Sequence, residues 1–327
     1  MADHPSATLE APGIRVPFAL HPTNLEGAFT PAPLPEGFDL RTASAASLLK
    51  HGVLFRRPTP SDPPSIKALW NLVADRKWEQ IVPVLEPQPG RTHVLRDRRK
   101  VADGSYTDSA WAGAVLDGTW VGAIGSWKIP TVSKAPEPQG DEGGWHSSSW
   151  VGLDGGSLGS NDVIQAGVEQ HVDANGNATY VAWYEWFAPQ EAGSPAYINQ
   201  TNIANMPVQP GQEMTCWVSL NNGVGHLYFG NATTSKYVQL TLAAPPGASA
   251  NGDTAEWIME APDGGEPISA LPRFSPVVFT GAAACTADLA SLGNADEADI
   301  YNIVDASGQT LTSVTLGNTE VTIDFIG

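Results

Sequence analysis

Cysteine is nearly absent. Cys216 and Cys285 are the only two in 327 residues, too few for a disulfide framework or a four-cysteine metal site. They leave either one bridge or two free buried thiols. No apolar run reaches the length of a membrane span, so no membrane partner is expected. The start, MADHPSATLEAPG, lacks the basic and apolar regions of a signal peptide. Basic residues are also scarce and unevenly placed. The first 134 residues hold 15 basic and 13 acidic side chains, whereas the remainder holds only Lys236 and Arg273 against 22 acids. The two parts carry about +2 and −20 within a net charge of −18. Such a surface repels nucleic acid and anionic membranes at neutral pH. It suits work in acid, where protonated carboxylates relieve self-repulsion.

Several catalytic signatures are missing too. There is no H-E-x-x-H, and neither of the two D-[ST]-G segments of a pepsin-type enzyme occurs. Gly155–Gly159 fits G-x-S-x-G, but a nucleophile elbow needs a helix next, and SNDVIQAGV reads as a turn and a strand. Glu169, His171 and Asp173 share one strand face, which reads as a solvated strand end rather than a metal site. No metal and no cofactor are expected.

What is present points to β structure. Gly 33, Pro 27 and Trp 11 with 42% hydrophobic residues favour many short strands and turns around a real core. Residues 1–60 are Pro-rich, with a short helical candidate at TASAASLLKHG. A second helix is expected after Ser61-Asp62-Pro63-Pro64, where Ile66, Leu69, Trp70 and Val73 recur at helical spacing. The basic run GRTHVLRDRRK, ending at Lys100, reads as an exposed junction. The division is set at 1–104 for a basic extension and 105–327 for the main domain. Beyond Trp111, period-2 segments such as VIQAGVEQHV, TYVAWYEWF, EMTCWVSL, KYVQLTL and TAEWIMEA read as strands, with a hairpin at Asp173–Asn177. The expected fold is all-β, a jelly-roll-like sandwich of two antiparallel sheets with a partly helical N-terminal extension. Alternation puts Val163, Gln165, Gly167, Glu169 and His171 on one face, Glu256, Ile258 and Glu260 on one face, and Glu185 with Trp183. Acids among aromatics are costly in a strand unless a polar cleft receives them.

Four segments carry a specific likeness. SSWVGLDG (148–155), VIQAGVE (163–169), YVAWYEWF (180–187) and TAEWIME (254–260) resemble, in order and spacing, the strands of the eqolisin-type glutamic peptidases. SAWAGAVL, TLTSVTLG and VTIDFI extend the likeness over about 105–327. The resemblance implies an acid-acting endopeptidase with Gln165 and Glu256 as the catalytic pair. Trp150, Asp154, Glu169 and Glu185 would line the substrate cleft. It also implies secretion, a precursor form, protein or peptide substrates and a monomer.

The chemistry of the pair stands on its own. Hydrolysis by water needs a base, an oxyanion donor and an acid for the leaving amine. Glu256 can take the water's proton and return it to the amine, and a Glu stays partly ionised where a His base is already protonated. The Gln165 amide can hold the oxyanion at any such pH. A β-sandwich glycosidase, pairing Glu169 or Glu185 with Glu256 across the cleft, and a lectin-like carbohydrate-binding protein are the alternatives. Residues 1–104 are expected to be an inhibitory prosegment. Arg91, Arg96, Arg98, Arg99 and Lys100 would be drawn to cleft carboxylates, and the Ile66/Leu69/Trp70/Val73 helix face would add apolar contact. Cleavage in acid is expected near residues 100–108.

Overall fold

The computed structural model describes residues 14, 16–54, 56–62, 66–67, 70–71, 74, 78–93, 98–135, 144–156, 162–188, 199–262, 270–286 and 292–327. Period-2 alternation becomes two large sheets packed face to face. The front sheet runs β4 (Leu85–Pro87), β13 (Thr201–Ile203), β12 (Ala178–Phe187), β11 (Val163–Asp173), β10 (Gly144–Leu153), β17 (Thr254–Glu260), β7 (Trp111–Asp117), β21 (Asp299–Ile303), β6 (Tyr106–Asp108), β5 (Arg99–Lys100). The back sheet runs β1 (Leu20–Pro22), β2 (Ala28–Pro31), β16 (Lys236–Ala243), β15 (Val224–Asn231), β14 (Glu213–Asn221), β8 (Gly122–Lys128), β19 (Val277–Cys285), β23 (Glu320–Phe325), β22 (Thr312–Gly317). β3 (Glu79–Gln80) and β20 (Leu292–Asn294) join it at β16 and β19. β9 (Val132–Ser133) and β18 (Arg273–Phe274) pair separately. The sandwich is antiparallel as expected, except that β3 joins β16 and β6 joins β21 in parallel.

The core lies between the sheets and uses the alternation assigned from sequence. Ile164, Ala166 and Val168 of β11 pack toward β14, with its Met214, Cys216 and Val218, and Ala255, Trp257 and Met259 of β17 pack toward β8 and β19, all in one buried cluster. Trp257 also anchors the sheets to each other by donating its indole N–H to the Ile124 carbonyl at 2.7 Å. Cys216 and Cys285 are both free and buried, and burial pushes the Cys285 thiol up to about 12. The Asp173–Asn177 hairpin forms as read: the Asp173 carboxylate accepts from the Asn175 and Asn177 amides, with Gly176 at φ +91°.

The N-terminal extension wraps the sandwich rather than standing apart. Helix α1 (Ala45–Lys50) forms where the sequence places it, capped by Ser44, whose side chain accepts from the Ser47 amide. The described residues of the second helix, Ile66, Lys67, Trp70, Asn71 and Ala74, are helical, whereas Leu69 and Val73 lie outside the described residues. Trp70 packs with Leu40, Leu48, Val53, Tyr228 and Tyr237 in a second apolar cluster. Tyr228 and Tyr237 sit on the outer face of the back sheet, because their neighbours Leu227, Phe229 and Val238 fill the inner one. This corrects one expectation: the helix face adds apolar contact on the side away from the carboxylates, since the flat aromatic surface lies there. The predicted junction is a hairpin, with exposed Arg99 and Lys100 of β5 paired to Thr107 and Tyr106 of β6.

Candidate active site

The strand registers set the acidic and aromatic residues of the front sheet's outer face into rows. Glu256 and Gln165 both pair with Gly152, from opposite sides, and Glu185 pairs with Gln165. The next row along the strands holds Ile258, Trp150, Gly167 and Trp183, and the one after it holds Glu260, Ser148 and Glu169. Glu256 and Gln165 are thus two strand spacings apart, about 10 Å between backbones, with a glycine between them. That gap is required: a Cβ on Gly152 would meet the Trp150 ring at 2.9 Å and Gln165 Cβ at 3.1 Å. Gly167 makes room in the same way for Trp150, whose Cβ would stand 2.5 Å from an added methyl.

Gln165 is fully buried and held by its own neighbour. Its Nε2 donates to Glu185 Oε2 at 2.8 Å and to the backbone carbonyl of His93 at 2.9 Å. Glu185 Oε2 also accepts the His93 amide at 3.0 Å. Burial pushes the Glu185 carboxyl up to about 8, with the charge of Glu260 adding to the rise and His93 opposing it. Glu256 is fully buried, and neither oxygen makes a hydrogen bond of ordinary geometry with a described residue. Burial drives its pKa well above the usual carboxylate range; the adjacent Thr254 hydroxyl offsets part of this and the Asp154 charge adds to it. Asp154 sits just past β10 at φ +69°, a left-handed conformation that Asp tolerates. Its carboxylate accepts the Asp253 amide at 2.8 Å, which shapes the turn beside Glu256.

Glu169 closes the other end of the cleft. Its Oε1 is 2.9 Å from His146 Nδ1 and 3.5 Å from the Arg91 guanidinium, and its Oε2 accepts from Gln200 at 2.6 Å. Burial alone would raise its pKa, but the His146 hydrogen bond and the Arg91 charge outweigh it and hold the carboxyl down at about 2. His171, on the same face, stacks on His146 with centroids 4.2 Å apart. Trp150 donates its indole N–H to Glu260 at 2.7 Å, and Trp111 packs edge-on against it.

All six side chains singled out in the sequence therefore line one face, in adjacent rows. Three cleft residues were missed as site residues. Glu260 had the right alternation, four residues after Glu256, but nothing in the pattern gave it a partner. Gln200 follows a loop whose residues 189–198 lie outside those described. His93 was overlooked among its basic neighbours, yet it is fully buried against the cleft. Its ring stacks on Trp183 and lies 2.9 Å from Glu260 and 2.7 Å from Gln200. Arg98 reaches the same face, donating to the Gly156 carbonyl at 2.7 Å and the Tyr301 hydroxyl at 3.1 Å. Arg96 and Ser157 lie outside the described residues.

Comparison with known proteins points to one family. The family model described as the peptidase A4 family matches residues 109–325. Aspergillopepsin-2 of Aspergillus niger is 27% identical over 253 residues, spanning 73% of this chain and 84% of that protein. Scytalidopepsin B of Scytalidium lignicola is 23% identical over 237 residues, 70% of this chain and 82% of that one. A solved structure of scytalido-glutamic peptidase with a transition-state analogue inhibitor superposes with a TM-score of 0.55 at 22% identity. It covers 67% of this chain and 98% of that one, a likeness of fold.

Proposed function

The chain belongs to the peptidase A4 family and is a glutamic peptidase, and from that premise we propose that it is an acid-acting endopeptidase in which Glu256 and Gln165 carry the reaction. One observation carries the residue assignment: the buried Gln165 amide already donates to a peptide carbonyl, that of His93, in the same strand row as Glu256. A substrate carbonyl held there is polarised by Nε2, and the same N–H stabilises the oxyanion as it forms. Glu185, accepting the other Nε2 hydrogen, is a positioning residue that fixes which way the amide points. The Thr254 hydroxyl and Gly156 amide lie beside the Glu256 carboxyl without making hydrogen bonds of ordinary geometry to it, so it can bind a water, remove its proton, and pass that proton to the leaving amine. Its raised pKa keeps the acid form, the one that protonates the leaving amine, dominant in acid, and makes the smaller carboxylate fraction a stronger base toward the water. The glycosidase and lectin alternatives lose their footing with the family, because both rested on the same acids and aromatics without it.

The N-terminal residues 1–104 act, in this proposal, as a prosegment. Arg91, His93 and Arg98 lie across the cleft and engage Glu169, Glu260, Gln165, Gly156 and Tyr301, so substrate and extension compete for the same groups. The mature enzyme is proposed to be a monomer, and export is proposed from the family likeness.

Release of peptides from denatured protein at pH 3–4 tests the reading. Glu256→Gln and Gln165→Ala should each lower the rate by at least about 10²–10³-fold, the usual cost of a lost oxyanion donor, while circular dichroism stays unchanged. A chelator should have no effect. Wild-type rates in either folded variant remove that residue from the mechanism.

A further inference from the structure

The slot that holds His93 is more selective than backbone binding requires. His93 is fully buried, and its ring lies flat on Trp183, with centroids 3.8 Å apart and 6° between the planes. Nδ1 is 2.9 Å from Glu260 Oε2, which also accepts the Trp150 indole N–H. Nε2 is 2.7 Å from Gln200 Oε1. The orientation of Gln200 is fixed from outside the slot, because its Nε2 donates to Glu169 at 2.6 Å and to Asn202 at 2.9 Å. Both ring nitrogens therefore face acceptors, an arrangement that suits a doubly protonated imidazole. A phenyl ring would fill the stack but give Gln200 Oε1 no donor and leave Glu260 Oε2 with Trp150 alone. A lysine would bring charge without a plane, and an aliphatic chain neither. The main chain of the same residue is equally engaged: its amide donates to Glu185 and its carbonyl accepts from Gln165. Side-chain recognition and the carbonyl facing Gln165 thus belong to one residue.

We infer that this slot is the subsite for the residue on the acyl side of the scissile bond, and that it selects histidine in substrates. The inference rests on the reading of Gln165 as the carbonyl donor. In the reaction the water oxygen bonds to the histidine carbonyl carbon and the C–N bond breaks. The histidine leaves as a carboxylic acid, and the amine takes up the proton that Glu256 removed from water. Self-processing then cuts after His93, upstream of the exposed hairpin around residues 100–108.

The test uses acid-treated full-length protein and a set of peptides identical except at one position, which carries His, Phe, Leu, Lys or Gln. Products are identified by mass between pH 3 and 7. Cleavage is expected after the varied residue, with kcat/KM for His at least about tenfold above Phe, the scale of a hydrogen bond to a charged group. That ratio should fall as pH rises past about 6.5, where free histidine loses its proton. Glu260→Gln and Gln200→Leu, each removing one acceptor's match, should both reduce the His/Phe ratio. A profile flat across the five residues, or led by Phe or Leu, overturns the inference and leaves the peptidase reading standing. If no peptide is cut at any pH, both fall together.

Discussion

At the scale of single residues, the site depends on a missing side chain as much as on the ones present. A methyl group on Gly152 would crowd the Trp150 ring and Gln165 Cβ at 2.9 and 3.1 Å. Trp150 is tied to Glu260 and Gln165 to Glu185, so either can yield only by straining a hydrogen bond of the site. Gly152→Ala should therefore lower kcat/KM by about 10²-fold, the usual effect of displacing a reacting group by an ångström, and lower stability by the roughly 1–3 kcal/mol that overpacking costs. A kinetic assay beside a thermal melt checks it; unaltered kinetics would mean that Gln165 does not need its observed position. Trp257 is the structural counterpart on the inner side of β17, the strand that carries Glu256. It is fully buried between the sheets, so Trp257→Ala should cost about 3–5 kcal/mol in denaturant unfolding.

At the scale of elements, Arg91, His93 and Arg98 contact the cleft, and the pH response of that contact, a plug in the proposal above, has two opposing parts. Glu169 is held at about 2, against an ordinary value of 4.5. A carboxylate lowered on docking stabilises the docked state above its ordinary value and loses that contribution as pH falls toward 2. His93 runs the other way: burial disfavours its charge, but Glu260 outweighs burial and raises its pKa. Glu185 is raised as well, to about 8. Their contributions are whole below their ordinary values and fade as pH rises through the raised ones. The plug should tighten from about pH 8 toward pH 5 and loosen only below about 4.5, a narrower window than charge counting alone suggests. Arg91→Gln removes the guanidinium that helps hold Glu169 ionised, while His146 and His171 remain beside that carboxylate. Activation, followed as activity after timed acid exposure, should begin at higher pH in this variant. An unchanged onset would show that the Arg91–Glu169 contact does not control release.

At the scale of the whole molecule, the extension is woven into both sheets, since β1, β2 and β3 widen the back sheet and β4 and β5 lengthen the front one. Trp70 and Leu48 are buried against the far side of the sandwich. Cutting the plug therefore does not free the wrap. Acid treatment of the purified chain should produce an active form in which an N-terminal fragment stays bound through the back sheet. Size-exclusion chromatography with mass analysis of the peak reads this directly. Glu256→Gln should remain a single uncut chain under the same conditions. A wild-type chain that gains full activity with no cut and with the plug still in the cleft would sink the prosegment proposal.

Strand alternation and turn chemistry are local properties, and the chain carried them openly. Alternating residues put Ile164, Ala166 and Trp257 inside and Gln165, Glu169 and Glu256 outside, because the side-chain period of a strand leaves no other choice once one face is buried. The Asp173–Asn177 hairpin followed from residue chemistry in the same way, and helix Ala45–Lys50 formed within the TASAASLLKHG candidate. The eqolisin-like segments added which outer residues to watch. Two things were decided only by tertiary structure. Register across four strands brought Glu256, Gly152, Gln165 and Glu185 into one row, a result that needs the pairing of Gly152 with the distant Glu256 of β17. The path of the extension seated His93, not the arginine run alone, against Trp183, Glu260 and Gln200. A histidine in a basic stretch has no periodicity to mark it; the acceptors that select it are brought together from distant segments by the sheet, and only the fold assembles them.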